Sequence, residues 1–310
     1  MAHNSDMMAK RNNDRSGVRN GHRLGLVMLI MPAIAALVQG CSPQLDNPSV
    51  DVTRPEAKSL LRAMRGDPVA LERPVIVIGG FRDPHVSAPH VAKTLGGVVT
   101  DPDRILPVTF FWQNSFDRTR RRLIEKIDRA FPSDDPAWTV EVDVIGISMG
   151  GLLARYAAAP PLEEDAAADP ARRLRIRHLY TIATPHRGAR MAVLPTFSSM
   201  QIDMRADSSF LRHLDAHLRE RAPALTEADY EILAYTRLGD MIVGESNTAP
   251  PGAGVWWLST PPLAFAHFGA AHDPRILADV ALRLRRETAL TLDPPAPLPG
   301  TSPQPSAEGN

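Results

Sequence analysis

The chain has a single cysteine, Cys41, in 310 residues, so no disulfide can close within it. It has no excess of either charge. Thirty-five Lys and Arg stand against 35 Asp and Glu, no basic stripe is present, and nucleic acid is excluded as a partner. Lysine is confined to positions 10, 58, 93 and 126, a scarcity that reflects genomic base composition rather than chemistry. The chain also lacks a stretch fit to cross a bilayer. Its longest apolar run, residues 24–38 (LGLVMLIMPAIAALV), holds fifteen residues and contains Pro32, where a spanning helix needs about 20. There is no internal repeat. Asp203 and Asp207 have no ligand spacing around them, so neither a metal nor a cofactor is expected. What the chain does have is 44% hydrophobic residues, enough to fill the core of one large domain or two small ones.

The N-terminus reads as a targeting segment. Lys10, Arg11, Arg15, Arg19 and Arg23 precede the apolar run, which ends at Val38-Gln39-Gly40-Cys41. This pattern resembles a bacterial lipoprotein cleavage box, although Gln39 departs from the small or β-branched residue usual there. The resemblance implies that residues 1–40 are removed and that Cys41 becomes a lipidated first residue. The product would be an exported, membrane-anchored lipoprotein of the bacterial cell envelope. A cysteine committed to lipid also accounts for an exported chain without disulfides.

Beyond Cys41, residues 41–70 read as a polar tether followed by a short helix over 56–65, with Leu60, Leu61 and Met64 on one side. Strands are then expected at 74–78, 106–112, 140–147, 176–182, 233–238 and 255–258. A helix over 118–131 places Leu123, Ile124, Ile127 and Phe131 on one stripe. The last helix is announced by Asp273 as N-cap and Pro274 at the first helical position. From Asp293 the chain is rich in Pro and Ser, so residues 288–310 are expected to be a disordered tail. Strands alternating with helices imply a mostly parallel sheet with helices on both faces.

The chemistry-bearing stretch is VEVDVIGISMGG at 140–151, followed by the small-residue helix start GLLARYAAA. A serine hydroxyl is a poor nucleophile at neutral pH. It needs a tight turn that lifts it off the sheet, a base for its proton and backbone donors for the oxyanion. Gly146-Ile147-Ser148-Met149-Gly150, placed between a strand and a helix, supplies the turn.

With this order the chain resembles the α/β-hydrolase fold, and within it bacterial lipases and esterases, over residues 71–287. The resemblance rests on four runs: Gly79-Gly80-Phe81 after the first strand, GISMGG, Leu238-Gly239-Asp240-Met241-Ile242-Val243, and AHFGAAHDPRILADVALRL. It implies Ser148 as nucleophile, Asp240 as triad acid and His267 as general base, in the chain order this fold uses. The N–H groups of Phe81 and Met149 would form the oxyanion hole. Gly79 stands where the family usually has His. His267, seven residues before Pro274, is preferred over His272, and Asp240 over Glu245. In TIATPHRG, Pro185 and His186 together with Gly80 are expected to wall the substrate pocket. His85, His90, His178, His213 and His217 are read as ordinary solvated or satisfied side chains.

Residues 189–232 are expected to insert a small cap, with Phe210, Leu211, Leu214 and Leu218 at helical spacing. The activity implied is hydrolysis of carboxylic esters by a monomer anchored to a membrane. The alternatives are a membrane-lipid acyltransferase or phospholipase using the same triad, and a catalytically silent lipoprotein that binds lipid or a partner.

Overall fold

The computed structural model describes residues 45–160, 172–221 and 230–300. Cys41, the apolar run before it and residues 301–310 lie outside the described residues. The expectations of a signal segment and a lipid anchor therefore fall outside them too.

Six strands form one wholly parallel sheet: β1 (Val75–Ile78), β2 (Ile105–Val108), β3 (Val142–Ile147), β4 (Ile176–Ile182), β5 (Glu231–Arg237) and β6 (Trp256–Leu258), in the order β2-β1-β3-β4-β5-β6. Among the described residues the helices are α1 (Arg54–Gly66), α2 (Ser87–Gly96), α3 (Phe116–Ala130), α4 (Met149–Ala158), α5 (Ser199–Asp203), α6 (Ser209–Arg221), α7 (Ala266–Ala270) and α8 (Pro274–Leu284). This is an α/β-hydrolase fold. The strand alternation dictates two cores. In β1, Val75 and Val77 join Leu61, Leu95 and Leu277 on the face covered by α1, α2 and α8. Ile76 and Ile78 join Leu123, Ile127, Leu152 and Leu211 on the face covered by α3, α4 and α6.

Strand order reverses at β1. The chain steps from β1 out to β2, crosses back to β3, and then proceeds in one direction to β6. Such a switch point opens a crevice at the carboxyl ends of the strands. Here Ile78 is paired with Gly146 across β1 and β3, so GGF and GISMGG leave the sheet side by side.

Local chemistry explains the helix ends. Thr53 and Glu56 cap α1 reciprocally, each side chain bonded to the other's backbone N–H. Asp273 caps α8 by accepting from Arg275 N–H at 3.1 Å. Helix α2 was not expected from the sequence, because Pro89 lies in its first turn and its N-cap, Val86, has no capping side chain. Its N-terminal donors are satisfied from a distance: the buried Asp83 carboxylate accepts from Val86, Ser87 and Ala88 N–H. The strand expected over 106–112 stops at Val108, and Trp112 stands free in solvent. As an edge strand, β2 tolerates Pro107.

Two expectations are corrected at the other edge. The N-terminal tether and the C-terminal tail both pack onto β6 as far as they are described. Asn47 Nδ2 donates to Trp257 O at 2.6 Å, and Val50 bridges Thr291 antiparallel. The Trp256 indole donates to Leu292 O, and the Trp257 indole to Ala296 O and Pro297 O. Buried indole N–H groups and an open strand edge both need acceptors, and low-propensity backbone supplies them. Asp279 in α8 pins the return of the tail, accepting from Leu290 N–H at 2.6 Å and Thr291 N–H at 2.9 Å while it also accepts from Tyr235 Oη.

In the 189–232 segment, α6 is a packing element. Phe210 stacks on Phe116 with ring centroids 4.1 Å apart, and Asp215 pairs with the buried Arg155 at 2.9 Å. Asp203, on α5, is half-buried, and burial followed by the Asp117 charge pushes its carboxyl up to about 6. The fold therefore favours the protonated acid. That contribution is complete below the ordinary value of 3.8 and is lost as pH rises through about 6. Asp203→Asn is expected to raise Tm at pH 8 by roughly 2–4 °C, with solvent screening limiting the gain, and to leave it unchanged at pH 4. Melting curves at both pH values check this, and an equal shift at both would contradict it.

Candidate active site

Ser148 sits between β3 and α4 with φ 53° and ψ −125°, a left-handed backbone that a non-glycine residue adopts only under constraint. The constraints are visible. Ser148 N–H donates to Ile182 O at 2.8 Å, and Ser148 O accepts from Thr184 Oγ1 at 2.8 Å and Gly151 N–H at 3.1 Å. Gly150 lets α4 close against β1, since a Cβ there would come within 2.3 Å of Ile78 O. Gly146 is equally restricted, its Cβ position lying 2.4 Å from Gly151 Cα.

His267, on α7, has Nε2 3.1 Å from Ser148 Oγ and Nδ1 2.8 Å from Asp240 Oδ2. Asp240 has no exposed surface. Its other oxygen accepts from Ile242 N–H and Val243 N–H, both at 2.9 Å. The carboxylate is acceptor-only, so the network assigns the imidazole proton to Nδ1 and leaves the Nε2 lone pair facing the serine hydroxyl. Residues from three separate loops, 119 and 27 positions from His267, meet in one hydrogen-bonded chain.

Gly80 packs against Ser148: a Cβ there would lie 3.2 Å from Ser148 Cβ and 3.7 Å from its Oγ. Phe81 follows it on the same turn. Met149 opens α4, so its N–H has no acceptor within the helix. The departure from His at Gly79 has a steric reason, because a Cβ there would come within 2.7 Å of Asp83 Oδ2.

The pocket role expected of His186 is corrected. Its side chain is fully buried, with Nδ1 3.1 Å from Arg155 Nη1 and Nε2 3.2 Å from Thr181 Oγ1. Burial first, and then the charges of Arg155 and Arg187, hold the imidazole well below its ordinary pKa and therefore neutral. Pro185 beside it is buried as well, so neither presents surface to a ligand. The same run instead contributes Thr184, which braces the Ser148 turn and was not singled out from the sequence. Glu245 lies in a short 3₁₀ turn past Asp240, with Oε2 buried and unbonded, and it is Asp240 that meets His267. His272 is exposed and lies tilted against His90, with ring centroids 4.1 Å apart.

The loops that leave the carboxyl ends of the strands carry exposed apolar side chains: Trp112 after β2, Phe197 after β4, Met241 after β5, and Leu263 and Phe268 after β6. Met241 adjoins Asp240 and Phe268 adjoins His267. Among the described residues no group of three or more His, Cys, Asp or Glu is arranged to hold a metal, and no helix is long and apolar enough to cross a membrane.

No family model matches the chain, and no curated protein is similar to it. Among solved structures it is similar to the esterase domain of a Rhodothermus marinus protein, over 70% of this chain and 90% of that one, at 15% identity and a TM-score of 0.37. A likeness that distant carries no functional argument.

Proposed function

We propose that the protein is a serine hydrolase that cleaves carboxylic esters through an acyl-enzyme on Ser148. One observation carries this reading: the side chains of Asp240, His267 and Ser148 form one hydrogen-bonded chain, with His267 Nδ1 toward the carboxylate and Nε2 toward the serine hydroxyl, the arrangement general-base catalysis uses. His267 Nε2 takes the hydroxyl proton as Ser148 Oγ attacks the ester carbonyl. The N–H groups of Phe81 and Met149 receive the oxyanion, a contribution worth on the order of 3 kcal/mol per donor. His267 then gives its proton to the departing alcohol. Water, deprotonated by the same imidazole, attacks the acyl-enzyme and releases the acid with Ser148 restored. The exposed apolar side chains at this edge favour an apolar acyl group, as in lipases and esterases.

The lipoprotein reading of Cys41 belongs to the same proposal and would place the site outside the cytoplasm at a membrane. The test is labelling of the full chain by a fluorophosphonate probe in cell fractions. The labelled band should depend on Ser148 and sediment with membranes, and Cys41→Ser should release it. Labelling that persists in Ser148→Ala overturns the hydrolase, and membrane association that survives Cys41→Ser overturns the anchor.

A further inference from the structure

Behind the loop that carries His267 lies a depression of about 440 Å³, lined by Arg54, Arg237, Pro261, Ala264, Gly269 and His272. Its charge is unbalanced. The guanidinium groups of Arg54, Arg237 and Arg275 all converge on a single carboxylate, Asp273, at 3.4, 2.6 and 2.9 Å. Asp273 has no exposed surface, and Arg237 and Arg275 are themselves buried. Of the other charged groups near this site, Lys93 adds positive charge beside His90, and the Asp83 carboxylate near His272 is engaged by the N-terminus of α2. An excess of cation remains even with Asp83 counted.

Arg237 also has an unused donor. Its Nε and Nη2 bind Asp273 at 2.9 and 2.6 Å, while Nη1 has no hydrogen-bond acceptor among the described residues. That nitrogen lies against Gly269, where a Cβ would come within 2.2 Å of it. Nη1 is not sealed from solvent, so its N–H pair is open to an anion entering the depression, where the surplus of guanidinium charge favours one. Arg54, only partly exposed, approaches from α1, and His272 approaches from the segment before α8.

We propose that this depression is a binding site for a phosphate group, held by Arg54 and Arg237 with His272 as a further donor. Donors converging from three elements suit a tetrahedral oxyanion better than a planar carboxylate, and guanidinium groups are the favoured partners of phosphate. The space exceeds that of a bare phosphate, and Pro261 and Ala264 provide apolar wall for the organic part of a phosphate ester. The inference does not depend on the esterase reading.

The experiment titrates inorganic phosphate into the full chain by calorimetry, at pH 7 and fixed ionic strength. Saturable one-to-one binding is expected, weakened about tenfold by Arg54→Gln, which removes a charge-assisted hydrogen bond to the anion. His272→Ala, at an exposed position, is a second variant that weakens binding if the site is real. Both variants are confirmed as folded by circular dichroism. Sedimentation with phosphatidylglycerol vesicles, competed by phosphate and lost in Arg54→Gln, assigns the phosphate to a lipid headgroup. Binding of phosphate without vesicle association assigns it to a soluble phosphate. Absence of saturable binding, or binding unchanged in both variants, overturns the site.

Discussion

Replacing Ser148 or His267 by alanine is expected to lower kcat for a short p-nitrophenyl ester by on the order of 10⁴- to 10⁶-fold, and the double variant by no more than either alone. The non-additivity follows from the geometry. In the proposed mechanism the serine hydroxyl is activated only through the 3.1 Å contact with His267 Nε2, so either truncation removes the same step. The residual rate would come from the oxyanion donors of Phe81 and Met149 and from substrate binding, which neither truncation touches. Ser148 is strained at φ 53°, and alanine keeps that backbone, so Tm should hardly move. A Ser148→Ala protein retaining more than about a tenth of the wild-type kcat would exclude Ser148 as nucleophile.

Asp240→Asn is expected to cost about 10⁴-fold in kcat with the fold intact. Asparagine keeps an oxygen for the Ile242 and Val243 N–H groups, so the turn remains satisfied. Its amide would then present N–H to His267 Nδ1, where the carboxylate accepts at 2.8 Å. The imidazole must respond by carrying its proton on Nε2, the tautomer that faces Ser148 with a donor and cannot take the hydroxyl proton. Asp240→Ala differs in kind, because it leaves those two backbone donors without their acceptor and should lower stability by about 1–3 kcal/mol, and Tm with it. Steady-state kinetics and thermal melting on the two variants separate the roles. Equal activity in Asp240→Asn and wild type would remove Asp240 from the site.

Much of the fold was legible because its signals are local. The β-branched run before GISMGG and the small residues after it define strand, turn and helix within some twenty positions. Asp273-Pro274 announces α8 in the same way. Helix α2 escaped because its cap is Asp83, outside the helix, and Pro89 masks its first turn. The tail escaped for a related reason. Its composition has no periodicity, and what orders it up to Gly300 is the demand of the Trp256 and Trp257 indoles and of Asp279, supplied from distant sequence.

The sequence by itself determined the Ser148 turn and the alternation of strand and helix, since each rests on residues close together in the chain. The spacing to Pro274 already favoured His267, and the tertiary structure shows by contact which histidine reaches the serine. His267, His272 and His186 are equally eligible as residue types, but one ring lies 3.1 Å from Ser148 Oγ, one is exposed and tilted against His90, and one is buried between Arg155 and Thr181. Only the structure gathered three arginines around Asp273 from positions 54, 237 and 275. Hydrogen bonding and charge compensation act at about 3 Å whatever the separation along the chain, and a parallel sheet with crossover helices brings the distant ends of its strands to one edge.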